Sequence, residues 1–169
     1  MATKKAKVSR EDRARDRAQK LAAALEAAAR LDGDRVLPLL GRPHDDPELV
    51  RLLAELGHTK PPVCESIELR KLGICFAFDA EVDGKPALSQ VRFELRRRWT
   101  GCAKYPGRLP YGISPDLKTA DAERVLASRG RGERMNDTWY AYHFDDHQIA
   151  MGFGTRFVET VFVKRPDAE

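Results

Sequence analysis

Two tracts of this chain alternate apolar and polar side chains, and each follows a segment with helical spacing. The first, SIELRKLGICFAFDAEVDGKPALSQVRFEL, sets Ile67 and Leu69, then Ile74, Phe76 and Phe78, then Val91, Phe93 and Leu95 at alternate positions. The second begins WYAYHFDDHQIAMGFG at Trp139 and closes with VETVFV at 158–163. A period of two marks strands with one buried face. Six strands are expected, at about 65–70, 73–80, 88–96, 138–144, 148–153 and 157–164. Asp83-Gly84 reads as a hairpin turn.

The helical segments carry their own start and stop signals. Ser9 and Asp12 form an S-x-x-D start, and Ala14, Ala18, Leu21, Leu25 and Ala28 follow at spacings of three or four before Gly33 ends the helix. That stripe is mostly alanine and buries little, so the helix is expected to pack loosely on the body or against another copy. A short turn near Val36–Leu40 precedes a second helix. Asp45 or Asp46 is its cap, Pro47 lies in its first turn, and Leu49, Leu52, Leu53 and Leu56 form its apolar face up to Gly57. A third helix spans 118–130, with Thr119 or Asp121 at its cap and Ala122, Val125 and Leu126 as its apolar residues.

The order helix, loop, three strands thus occurs twice. At an offset of 73, PELVRLLAELG (47–57) lies over ADAERVLASRG (120–130), matching Leu53 to Leu126, Ala54 to Ala127 and Gly57 to Gly130. The expected fold class is α+β: an N-terminal helix, then two tandem units of helix plus three-stranded antiparallel sheet, joined side by side with helices on one face. The expected divisions are a disordered basic tail at 1–8, the helix at 9–33, a first unit at 34–96, a linker at 97–116 and a second unit at 117–165.

Composition narrows the function. Hydrophobic residues make up 42% of the 169 residues, enough for a core, and no apolar run is long enough to span a membrane. The stretch behind the N-terminus is broken by Glu26 and Arg30, unlike a signal peptide, so a cytoplasmic location is expected. The +4 net charge is local. Residues 1–20 hold eight Lys/Arg and three acids, while the other 149 residues hold 22 basic and 23 acidic side chains. The charge therefore describes the N-terminus and not a nucleic-acid-binding body. Cys64, Cys75 and Cys102 are odd in number, widely spaced and without a CxxC, which argues against a disulfide framework or a structural zinc. Gly152-Phe153-Gly154 and Gly130-Arg131-Gly132 lack the strand-to-helix context of a phosphate loop, and no cofactor is expected.

Three clusters compete as sites. His143, Asp145, Asp146 and His147 are rich in metal-ligating groups, but a strand ending near Phe144 and another starting near Gln148 leave Asp145-Asp146-His147 as a hairpin connection. Aspartate suits such turns for its own reasons. The expectation is a turn, with Asp146 and His147 pointing away from His143 and no metal. The second cluster is aromatic. Alternation puts Tyr140, Tyr142 and Phe144 on one face and Trp139 and His143 on the other, and Tyr, Trp and Arg dominate protein-binding energetics. The third is the linker RRRWTGCAKYPGRLPYGISPD, with Arg96, Arg97, Arg98, Lys104 and Arg108 interleaved with Trp99, Tyr105 and Tyr111. It suits an acidic protein surface, or phosphates with bases stacked on the rings.

The segments LPYGISPDLKTADAERVLASRG, WYAYHFDDHQIAMGFG and VETVFV resemble the small helix-plus-sheet module of the β-lactamase inhibitor protein and of small outer-membrane-assembly lipoproteins. LLGRPHDDPELVRLLAELG resembles the opening of uncharacterised bacterial proteins that include immunity proteins of toxin systems. The resemblance covers about residues 35–164. It departs from the inhibitor in lacking paired cysteines, and from the lipoproteins in lacking a lipid-modified cysteine near the start. It implies a non-enzymatic inhibitor, here a cytoplasmic immunity protein. Its partner would be a cognate toxin or effector, held by Arg96, Arg97, Arg98, Trp99, Tyr105, Tyr111, Trp139 and His143. A nucleic-acid-associated regulator using the basic helix and the Arg-rich linker is the alternative, and a metal enzyme centred on His143 and His147 the third reading. No membrane partner is expected, and the N-terminal helix offers a route to a homodimer.

Overall fold

The structure, a computed structural model, describes residues 9–60, 65–96, 101–114, 116, 118–154 and 157–165. The expected basic tail at 1–8 lies outside them, as do Arg97, Arg98 and Trp99 of the candidate site. The fold is α+β. Helices α1 (Arg10–Arg30), α2 (Pro47–Glu55) and α3 (Thr119–Ala127) accompany nine strands and two short 3-10 segments, Gly33–Leu39 and Pro110–Gly112. The strands are β1 (Ser66–Leu69), β2 (Ile74–Ala77), β3 (Ala80–Val82), β4 (Lys85–Ala87), β5 (Gln90–Glu94), β6 (Arg131–Arg134), β7 (Trp139–His143), β8 (Gln148–Phe153) and β9 (Val158–Lys164). Seven form one antiparallel sheet in the order β1-β2-β5-β9-β8-β7-β6, and β3 pairs with β4 apart from it.

The helix starts follow the chemistry of their caps. Ser9 and Asp12 make a reciprocal capping box at the start of α1, and the Asp46 side chain accepts from the amides of Glu48 and Leu49 at the start of α2. Helix α3 departs from expectation. Its cap position is Lys118, which makes no side-chain capping bond, and Thr119 falls inside the helix. At Gly57, after α2, φ is +84° and a Cβ would come within 3.2 Å of Ala24, so glycine both ends α2 and lets α1 approach.

Register sets the two sheet faces. Ile67, Phe76, Val91, Val163, Ile149 and Tyr142 form one continuous row, and Leu69, Ile74, Phe93, Val161, Met151 and Tyr140 the next. These rows belong to one hydrophobic cluster with Ala24 and Ala28 of α1, the leucines of α2, and Ala122 and Leu126 of α3. The other face carries Glu68, Cys75, Arg92, Phe162, Ala150, Ala141 and Glu133 in register, with Glu94, Thr160, Gly152 and Trp139 beside them.

Three elements depart from the expected plan. Two strands were not anticipated between 78 and 88: Asp83 (φ 53°) and Gly84 (φ 73°) are both left-handed, which builds a tight β3–β4 hairpin. Strand β6 adds an edge before β7, in a segment (RGER) with no apolar alternation to announce it and every residue exposed. The segment at 101–114 is no loose linker. Tyr105, Leu109 and Ile113 are buried in the core, and the backbone of Arg108 bonds to both Leu31 and Gly33. The Tyr105 hydroxyl lies 3.2 Å from the Leu31 carbonyl and 3.3 Å from that of Arg108, tying the strap to the end of α1.

Burial raises the Tyr142 hydroxyl pKa to about 12 and pushes that of Tyr105 higher still, while a free phenol sits near 10.0. Both folded values exceed the unfolded one, so their contribution is fully present below pH 10.0 and is lost as pH rises through the folded values. Urea midpoints will therefore fall steeply above about pH 10. A midpoint that stayed level from neutral pH into that range would contradict the burial of these two rings.

Candidate functional site

The second sheet face holds an aromatic platform over small residues. Trp139 projects from β7 opposite Gly152 of β8, and a Cβ on Gly152 would sit 2.9 Å from the indole ring. Glycine there is what allows the indole to lie against the sheet. Phe162 of β9 meets it at 5.3 Å between ring centroids, tilted by 47°, and stands in register with Ala150 and Arg92. Small side chains at Ala141, Ala150 and Gly152 leave room for the two half-exposed rings.

Charge lies beside the rings. Arg92 Nε is 2.9 Å from Glu94 Oε1, with the Glu94 side chain 5% and the Arg92 side chain 24% exposed. Glu94 Oε2 accepts a long hydrogen bond from Thr160 at 3.3 Å. The Arg92 Nε–H lies within ion-pair range but off the hydrogen-bond direction, and it has no hydrogen-bond partner. The Oε1 of Gln148, on the same face, also lacks one. A cavity of about 460 Å³ is lined by Arg92, Glu94, Trp139, Gly152, Thr160 and Phe162, among others. Half-exposed aromatics beside a largely desolvated ion pair suit a protein-binding surface. Cys75, also on this face, has its thiol pKa raised by burial and is not poised as a thiolate nucleophile.

At the other end of β7 a larger open cavity, about 570 Å³, is lined by Tyr111, Arg129, Arg131, His143, Phe144 and His147 with their neighbours. His147 is 4% exposed. Its Nδ1 is 2.6 Å from Asp146 Oδ1 and its Nε2 is 2.9 Å from the Tyr111 hydroxyl. A carboxylate only accepts, so Nδ1 carries the proton, and in the neutral ring Nε2 then accepts from Tyr111. Tyr111 is fixed from every side. Its ring stacks on Phe144 at 5.0 Å, the Arg129 guanidinium lies 5.0 Å from its centroid, and its amide donates to Asp34 at 2.6 Å. Its backbone is left-handed, with φ 61°, a conformation costing roughly 1–3 kcal/mol that these contacts hold in place. Burial, with the Asp146 and Asp34 carboxylates, raises its hydroxyl pKa.

The structure sorts the expected site residues into four groups. Trp139 and His143 share the open face, and His143 Nε2 lies 3.1 Å from Glu133 Oε2. Tyr111 joins His143 at the larger cavity. Arg96 stacks its guanidinium 4.5 Å from the Phe157 centroid. Tyr105 leaves the set: it is fully buried against Phe93 and cannot touch a partner or stack on a base. His147 does more than the plain turn residue expected: it is the hub that pins the β7–β8 turn to the 110–113 segment. With both its ring nitrogens engaged there, it does not converge with His143, and among the described residues no group of three His, Cys, Asp or Glu side chains could hold a metal. Phe162, Arg92 and Glu94 were missed because their place beside Trp139 depends on the β5–β9 and β8–β9 registers, which local alternation does not reveal.

No protein-family model and no curated protein matches the chain. Among solved structures, a DUF4309 family protein (YjgB) from Bacillus subtilis subsp. subtilis str. 168 is similar at 12% identity over 88% of this chain and 97% of that one. Its TM-score is 0.39, too distant a likeness to carry an argument about fold or function.

Removing the Tyr111 hydroxyl strands a buried nitrogen. Tyr111→Phe is expected to lower stability by about 1–3 kcal/mol in urea titrations, and a neutral effect would show that Nε2 finds water instead.

Proposed function

We propose that the chain is a non-enzymatic protein-binding inhibitor, an immunity protein that neutralises a cognate toxin in the cytoplasm by covering its active site. The observation that carries this reading is the platform of Trp139 and Phe162 on the half-exposed sheet face, with the Arg92–Glu94 pair beneath it. Large rings held by packing lose little freedom on binding. Sheet and platform together form a rigid surface, which suits occlusion better than chemistry. The resemblance of residues 35–164 to the β-lactamase inhibitor module points the same way. The nucleic-acid reading is weaker. Tyr105, one of its stacking rings, is in the core, and the open face mixes acids with bases in place of a basic stripe.

The test is co-expression with each neighbouring gene whose product is toxic when expressed alone, followed by titration of the purified pair. Protection and a tight complex are expected. Trp139→Ala should weaken that complex by about 2 kcal/mol or more while the fold is unchanged. A complex indifferent to Trp139→Ala and Phe162→Ala, or no protection at all, would remove this face as the inhibitory site.

A further inference from the structure

Helix α1 is longer than the body it packs on. Its C-terminal part buries Ala24 and Ala28, and the cap residue Leu31 is buried too, but every residue from 10 to 20 is exposed. At 1.5 Å per residue that overhang runs for about 16 Å. Its surface is ordered around one seam. Positions 10, 13, 17, 20, 24, 27 and 31 alternate spacings of three and four and so share one side of the helix. In the packed part they are Ala24, Ala27 and Leu31; in the overhang they are Arg10, Arg13, Arg17 and Lys20. The acids Glu11, Asp12 and Asp16 lie off that seam. The side of α1 that faces the protein's own core therefore continues past the body as a basic stripe.

At the foot of the overhang lies a groove of about 380 Å³ between α1 and the β1–β2 turn. Half-buried Leu21 and Leu69 line it over the buried Leu56 and Leu72, with Lys20 and Lys71 among its other lining residues. The nearby Lys20–Asp16 and Arg70–Glu68 pairs are exposed ones, worth little and readily exchanged.

We infer that this overhang and groove form a second docking surface, separate from the open sheet face, and that its occupant is an acidic amphipathic helix of a protein partner. The apolar floor takes the partner's aliphatic side chains and the basic seam takes its carboxylates. A second copy of α1 does not fit, because pairing the seam with itself sets Arg and Lys against Arg and Lys. A nucleic acid does not fit the leucine floor.

The test is selection of a displayed library of helical peptides on the full chain, followed by anisotropy titration of the recovered peptides. Recovered sequences are expected to carry leucine or isoleucine at helical spacing flanked by Asp or Glu. Their affinity should fall by at least roughly tenfold on the Arg10→Glu/Arg17→Glu variant, whose changes are fully exposed and cannot unfold the body. Lys71→Glu should weaken them further, and Trp139→Ala should leave them unchanged, which separates this surface from the inhibitory one. Peptides without an acidic bias, or equal binding to the charge-reversed variant, would overturn the inference. So would a short DNA duplex that outcompetes the peptides at physiological salt and is lost on the same charge reversal.

Discussion

The pairing of β5 with β9 holds the molecule together. It joins strands drawn from 66–94 to strands drawn from 131–164, setting Val91 against Val163 and Phe93 against Val161. Those four side chains are essentially fully buried at the centre of the sheet, where α2 and α3 also deliver their leucines. Each half alone would present a short sheet with one open edge at this seam, a poor basis for independent stability. Closing the seam joins strands separated by the 63 residues from 95 to 157, and packing of the strap at 101–114 helps offset that loop-closure entropy. Tyr105 packs its ring 4.8 Å from that of Phe93 and sends its hydroxyl to the end of α1, so the connection is itself a piece of core.

The same seam makes the platform. Pairing that buries Phe93 and Val161 on one face sets Arg92 beside Phe162, and Glu94 beside Thr160, on the other. A one-residue slip would send the whole set to the opposite face. The candidate interface is thus a consequence of core register, and its rigidity comes from the packed side of the sheet.

What was legible in the sequence was what local periodicity encodes. The alternation of WYAYH placed Trp139 and His143 opposite Tyr140 and Tyr142, and the caps at Ser9 and Asp46 set where two helices start. What stayed hidden depends on contacts distant in the chain. Tyr105 sits among Arg, Lys, Gly and Pro, a composition that reads as solvated, and nothing local shows that Phe93 and Leu31 will enclose it. His147 looked like any polar turn residue because its partner Tyr111 lies 36 positions away. Strand β6 has no apolar face and forms because β7 offers it an edge, so its residues carry no pattern to find.

Helix α1 shows why composition misleads when position is ignored. An alanine-rich stripe suggested loose packing along its whole length, yet the packing is divided. Alanines close on the body where Gly57 has no side chain to obstruct them, and the same seam turns to arginine where the body ends. Were the overhang merely a solvated extension, its charges could be scattered around the helix with no loss. Setting cations three or four residues apart on the one side that elsewhere faces the core is unfavourable for an isolated helix, offset at Lys20 by Asp16. A partner that brings carboxylates to that side relieves the repulsion, and the leucines at its foot give the same partner a hydrophobic hold.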